Sequence, residues 1–206
     1  MRYYANPSKG ARDAMTAGLI DCIVTPLQGN RHVDGVPYSA DNGCFGKGYP
    51  GDDAWFQWLT QLPDKHLCRF AVAPDVVGDA DATLARSTPW LAKVRALGLP
   101  VAFVAQDGQE ALPVPWDDLD VLFIGGTTTW KLGPHARRLV AEAKRRGKQC
   151  HMGRVNSFKR LSYAAHIGCD SADGTFLVFG PELNLPRLRG WLTRLEQQPE
   201  LFGGAA

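Results

Sequence analysis

Short apolar runs alternate with longer stretches of helical periodicity from one end of the chain to the other. Tyr3-Tyr4, Leu19 to Val24, Tyr38 to Ala40, Arg69 to Ala73, Val101 to Ala105, Asp120 to Ile124, Gln149 to Met152 and Ile167 to Asp170 read as strands. Between most of them the spacing predicts helices over Ser8 to Ala17, Asp52 to Gln61, Asp79 to Leu97, Pro134 to Arg146 and Phe158 to Ala165, and Leu185 to Gln197 closes the chain as an amphipathic helix. The fourth of these shows the logic: Leu139, Val140 and Ala143 recur at helical spacing and Gly147 stops the run. Strand–helix alternation implies parallel pairing with right-handed crossovers. Eight such units predict an α/β fold of the (β/α)8 barrel type, with an open doubly wound sheet as the alternative. The chain is at the short end of the barrel range at 206 residues. It reads as one domain over 1–206 without repeats or linkers, and Gly43 to Asp52 reads as an active-site loop.

Polar residues collect where these strands end, which is where a barrel of this type builds its active site. Asp41, Asp75, Asp170 and Asp173 each follow a strand candidate, and Gln106 follows another. One Asp in such a place is ordinarily a helix cap. Several at one barrel mouth can instead divide labour, one attacking a sugar carbon while the other handles the leaving group's proton. Gln106 can both donate and accept, and the Gly125-Gly126 pair lets a flat ligand approach the backbone closely. Phe45 and Met152 offer faces for sandwiching a heterocycle, or else fill the core. The set describes a pocket for a purine-like base. His151 and His166 read as structural hydrogen-bonders.

Composition changes this picture little. Hydrophobic residues at 45% and charged ones at 21% are ordinary for a soluble globular chain, and the net charge of +2 is mild. Its distribution matters more: Arg137, Arg138, Lys144, Arg145, Arg146, Lys148, Arg154, Lys159 and Arg160 crowd one region. This is a solvated helix face or a phosphate-contacting surface. Thr127-Thr128-Thr129-Trp130-Lys131 either contacts a phosphate or opens a helix. The five cysteines are dispersed without a C-x-x-C pair, which signals neither zinc nor a disulfide framework and fits reduced thiols in the cytoplasm. The N-terminus lacks the apolar segment of a signal peptide, and neither a dinucleotide fingerprint nor a Walker A sequence appears.

The ordered segments resemble the tRNA-guanine transglycosylase superfamily, and within it the phage- and bacteria-borne branch that puts 7-deazaguanines into DNA. Asp41-Asn42-Gly43-Cys44-Phe45 is similar to the family's D-S-G-G-[FY], and Ala73-Pro74-Asp75 stands in the place of its second base-reading Asp. Val104-Ala105-Gln106-Asp107-Gly108 resembles its V-Q-G-G, Ile124-Gly125-Gly126 its I-G-G, and His151-Met152-Gly153 its L-M-G. Gly168-Cys169-Asp170-Ser171-Ala172-Asp173 resembles the G-x-D-x-[FY]-D that ends in the nucleophile. The likeness covers about residues 38 to 175.

The resemblance implies a (β/α)8 barrel in which Asp173 displaces guanine from C1′ to form a covalent glycosyl-enzyme, with Asp41 as proton donor and acceptor. It implies that Asp75, Gln106, Gly125 and Gly126 read the base edges while Phe45 and Met152 stack on its faces. A 7-deazaguanine would enter as co-substrate, with no cofactor. Lys131, Arg154, Lys159 and Arg160 would contact the nucleic-acid backbone, and the target base would be flipped or single-stranded. The family's C-x-C-x-x-C…H zinc segment and its Thr-Arg-rich stretch after the nucleophile are missing, which implies no metal and favours DNA over tRNA as partner, in a host cytoplasm if phage-encoded. A tRNA-acting enzyme, a base-releasing N-glycosidase and a non-catalytic nucleic-acid-binding barrel are the alternatives, and Asp170 is the alternative nucleophile.

Overall fold

A computed structural model describes residues 1–28 and 31–197. Eight parallel strands pair in chain order and close on themselves, β1 against β8, into a barrel. The strands are β1 (Arg2–Ala5), β2 (Asp21–Val24), β3 (Tyr38–Ala40), β4 (Cys68–Val72), β5 (Val101–Ala105), β6 (Val121–Ile124), β7 (Gln149–Met152) and β8 (Ser171–Asp173). Among the described residues the helices are α1 (Arg12–Thr16), α2 (Asp52–Thr60), α3 (Ala80–Ala96), α4 (Thr128–Lys131), α5 (Pro134–Arg145), α6 (Phe158–His166) and α7 (Pro181–Gln197). The barrel expected from the alternation is the barrel found, and the open sheet is excluded.

Local chemistry explains the boundaries. Asp79 caps α3 by accepting from the Ala82 N–H at 3.0 Å, and Pro134 opens α5 at a position where its missing N–H costs nothing. Gly147 ends the α5 turn at φ 70°, a left-handed conformation that other residues adopt only with strain. The last strand departs from expectation. Ile167 to Asp170 is a turn, and the strand is Ser171–Asp173. Gly168 at φ 100° delays strand entry, so Asp170 precedes β8 and Asp173 is its final residue.

Alternation along the strands divides the core in two. Tyr4, Ile23, Phe70, Val72, Ala102, Val104, Val121 and Phe123 pack together inside the barrel. A larger cluster, including Ala40, Ala105, Ile124, Met152 and Ala172, packs between the barrel and its helices. Trp55 of α2 belongs to this outer layer, wholly buried and edge-on to Trp90 of α3 at 5.6 Å. The register His151↔Ser171 and Met152↔Ala172 puts polar side chains on the inner face of β7 and β8 and apolar ones on the outer face.

The chain leaving β8 passes through a crowded point. A Cβ on Gly174 would lie 2.5 Å from the Val155 carbonyl oxygen and collide with the Tyr3 hydroxyl and the Asn156 amide oxygen. The Tyr3 hydroxyl donates to that same carbonyl at 2.9 Å, so relief would break a buried bond. Gly174→Ala should therefore destabilise the fold by roughly 1–3 kcal/mol, the usual cost of overpacking. Urea denaturation measures this, and a variant as stable as the parent would show that the β8 exit is loosely packed.

Candidate active site

The strands' C-terminal ends surround a cavity of about 460 Å3. Asp41 beyond β3, Asp75 beyond β4, Gln106 beyond β5, Gly125 beyond β6, Arg154 beyond β7 and Asp173 at the end of β8 all line it, with Phe45 and Arg160 at its edge. The acids and amides that the sequence placed on separate strands thus meet around one space.

Its floor carries a hydrogen-bonded chain. The His151 ring, fully buried, places Nε2 3.0 Å from Asp173 Oδ1 and Nδ1 2.8 Å from Ser171 Oγ. An ionised Asp173 can only accept, so Nε2 carries the hydrogen, and in the neutral ring Nδ1 then accepts from the Ser171 hydroxyl. Tyr4, Phe70 and Phe123 surround the imidazole with ring centroids 5.6, 5.1 and 4.6 Å away. The other oxygen of Asp173, Oδ2, has the Arg154 backbone N–H at 3.5 Å.

A second network ties four strand ends together. The Asn42 amide donates to Asp75 Oδ1 at 2.8 Å and to the Ala73 carbonyl at 2.7 Å. Gln106 donates to Asp75 Oδ2 at 2.6 Å, while its oxygen accepts from Gly126 N–H at 2.7 Å and Gly78 N–H at 3.0 Å. Asp75 and Gln106 therefore brace the rim as well as line it. Burial pushes the Asp75 carboxyl up, opposed by the Asn42 and Gln106 amides.

Asp41 is in a different electrostatic state. Removal from water, then the charges of Asp173 and Asp75, push its carboxyl up to about 7, against the backbone N–H groups of Gly43 and Asn42. A group poised there can give or take a proton near neutrality.

Several expected assignments change. Met152 does not reach the cavity: it is fully buried in the layer between barrel and helices, because its neighbour His151 points inward. The planar group that faces Phe45 is the Arg154 guanidinium, 4.2 Å from the ring centroid. Gly126 does not line the cavity; its N–H serves Gln106 and its carbonyl accepts from Arg154. Gly125 does line it, and a side chain there would strike Val104 and Gln106. Asp170 sits at the opposite end of the barrel wall, ion-paired with Lys144 at 2.7 Å and accepting from Cys150 N–H at 2.7 Å. That removes it as the alternative nucleophile.

The cations also separate. Lys131 is wholly buried, its ammonium donating to the Gly153 carbonyl, so it cannot contact a backbone phosphate. Burial first, then the Arg154 and Arg160 charges, push it down to about 7 against the attraction of Asp173. Its bond holds the loop where Arg154 adopts a left-handed φ of 59°. Lys159 is exposed on α6, outside the cavity lining. Arg145 and Arg146 pair with Glu142, so the basic run from 137 to 160 is not a continuous surface, and only Arg154 and Arg160 of it line the cavity.

His151 was the functional candidate read as merely structural. The available signal was the two-residue alternation that puts it on the same face as Gly153 and, across β8, as Ser171 and Asp173. Asn42 lay inside a quoted motif without a role, and Asn156 lay outside them all; Asn156 lines the cavity and donates to Thr175 at 3.2 Å. Among the described residues no cluster of His, Cys, Asp and Glu is arranged to hold a metal ion.

No family model and no curated protein matches the chain. Solved structures do match. The BexX/CysO complex of Amycolatopsis orientalis aligns with a TM-score of 0.63 at 15% identity, covering 100% of this chain and 93% of that one. A native KDPGal structure aligns with a TM-score of 0.61 at 11% identity, covering 98% and 97%. At such identities the likeness is one of fold.

The raised Asp41 carboxyl has a consequence for stability. Above about pH 7 the folded chain holds a carboxylate where its charge is disfavoured, and the penalty fades as pH falls toward the ordinary Asp range of about 4, because the folded state binds the proton first. Asp41→Asn should be more stable than the parent by roughly 1–3 kcal/mol at alkaline pH. The gain should shrink steadily between about pH 7 and pH 4. Denaturant unfolding of both proteins across pH checks this, and a constant difference would mean that Asp41 titrates like a surface carboxyl.

Proposed function

We propose that this chain is a pentosyltransferase of the guanine transglycosylase type. It exchanges guanine in a polynucleotide, most simply DNA, for a 7-deazaguanine through a covalent glycosyl-aspartate. The observation that carries this reading is the pairing of Asp173 and Asp41 across one cavity in unlike environments. Asp173 accepts a hydrogen bond from His151 and lies near the Arg154 N–H, as suits an anionic nucleophile. Asp41, at about 7, has a proton to give.

In the first half-reaction Asp173 Oδ2 bonds to C1′ as the C1′–N bond to the purine breaks. The bonding pair leaves on the base, and the Asp41 proton neutralises it. In the second, the Asp41 carboxylate takes the pyrrole N–H proton of the incoming 7-deazaguanine. The freed nitrogen pair attacks C1′ and releases Asp173. One group near neutral pKa serves both directions. Asp75, Gln106 and the Gly125 backbone edge the cavity where the base lies, and Phe45 is 62% exposed at the mouth, ready to cover it.

A cavity of about 460 Å3 suits a base and its sugar rather than a duplex, so the target nucleotide leaves the stack. Arg154 and Arg160 at the edge suit the flanking phosphates. The preference for DNA rests on the resemblance to the DNA-modifying branch.

Incubation with guanine-labelled DNA and tRNA side by side, with and without a 7-deazaguanine, tests this. Asp173→Asn should abolish both exchange and covalent trapping, while Asp41→Asn should leave some trapped adduct and lower exchange by roughly 10²–10⁴-fold, the usual worth of general acid–base catalysis. Normal exchange by Asp173→Asn would remove the mechanism. Abasic sites in place of exchanged base would assign an N-glycosidase, and binding without turnover a non-catalytic barrel.

A further inference from the structure

We infer that His151 is a positioning residue that, braced by Ser171, clamps Asp173 Oδ1 so that Oδ2 alone is presented to the sugar. The inference deepens the transglycosylase reading and rests on its choice of nucleophile.

The argument begins with an anomaly. The barrel interior below the cavity is apolar, built from Tyr4, Ile23, Phe70, Val72 and their neighbours, yet β7 sends a fully buried imidazole into it. A buried polar ring is costly unless both nitrogens find partners. Here both do, at 2.8 and 3.0 Å, and both partners lie on β8, two residues apart on its inner face. The ring therefore spans from the strand's first residue, Ser171, to its last, Asp173.

Three aromatic rings close the remaining sides of the imidazole, so it cannot turn without disturbing the interior packing. The Ser171 hydroxyl selects the tautomer by donating to Nδ1, which leaves the Nε2 hydrogen aimed at Asp173. A carboxylate with one oxygen held this way has lost its side-chain rotation. Its second oxygen lies toward Arg154 and the cavity. Attack at C1′ demands that an oxygen lie in line with the departing base, and a small misplacement is expensive. His151 touches neither sugar nor base; it acts through Asp173.

The variant that isolates this role is His151→Phe, which keeps a ring against Tyr4, Phe70 and Phe123 but donates nothing. Its covalent adduct should form on the order of 10²-fold more slowly in single turnover. Its equilibrium affinity for free guanine, set by the cavity walls, should match the parent's. His151→Gln, which returns an N–H donor, should recover part of the rate, and Ser171→Ala should lose rate in the same sense. A guanine affinity that falls in parallel with the rate would overturn the inference, as would an unaltered rate in His151→Phe.

A second measurement does not need turnover. Nitrogen-15 NMR of the imidazole should show the Nε2–H tautomer with a slowly exchanging ring proton in the parent and loss of that protection in Asp173→Ala. Protection unchanged by Asp173→Ala would overturn the contact itself. A parent that shows the protected proton but forms no adduct on any polynucleotide would overturn the transglycosylase reading and, with it, the positioning role, while leaving the clamp as structure.

Discussion

Two carboxyl groups facing one partly closed cavity repel each other, and the site is arranged around how that repulsion is settled. Like charges in low dielectric cannot both be held cheaply, so one group yields its charge. Burial marks Asp41 as that group. Asp173 has an imidazole N–H on one oxygen and a backbone N–H near the other. Asp41 has its removal from water and then the charges of Asp173 and Asp75 against it, more than the Gly43 and Asn42 N–H groups offset, and its carboxyl moves up to about 7. Both donors beside Asp173 come from β7 and its following loop.

That loop is held from behind. The Lys131 ammonium, forced toward neutrality by burial, bonds the Gly153 carbonyl, and Arg154 reaches across to the Gly126 carbonyl. On the other side Asn42, Asp75 and Gln106 link the ends of β3, β4 and β5 to Gly126 beyond β6. Each such bond adds only about 1 kcal/mol net, but leaving any of these buried groups unpaired would cost more. The network therefore fixes geometry more than it adds stability. On the transglycosylase reading an oxygen must be held in line with a breaking bond, and that kind of frame serves it.

Much of this was legible in the residues. Alternation of apolar runs and helical spacing carried the barrel, since each period follows from backbone geometry alone. The meeting of Asp41, Asp75, Gln106, Gly125 and Asp173 followed from the barrel, because its strand ends converge whatever the loops do. What failed depended on facing. Met152 and His151 are adjacent, so one must point in and the other out, and the apolar residue went to the apolar layer. The start of β8 slipped because Ile167 continues the apolar pattern of α6 and is half of a turn. The basic run left two readings open because sequence proximity does not distinguish the α5 charges that pair with Glu142 from Arg154 and Arg160, which line the cavity.

The distribution of cations then constrains how a polymer could approach. Lys144, Arg145 and Arg146 of α5 and its end pair with Asp170 and Glu142, and none of the basic residues from 137 to 148 lines the cavity. Arg160 and Arg154 are the two residues of the basic run placed at the lining, and Arg154 already stacks on Phe45 at 4.2 Å. At that separation the two groups are in direct contact, with no room for a base between them. A base seated against Phe45 must therefore displace the ring from Arg154, and the loop carrying Phe45 is the exposed partner of the two. On the transglycosylase reading, base entry and loop movement become one event, because the acidic interior accepts a neutral heterocycle while the phosphates on either side stay with the arginines at the rim. A polynucleotide can satisfy both demands only by sending one nucleotide inward, which makes local unstacking a condition of binding rather than a later step.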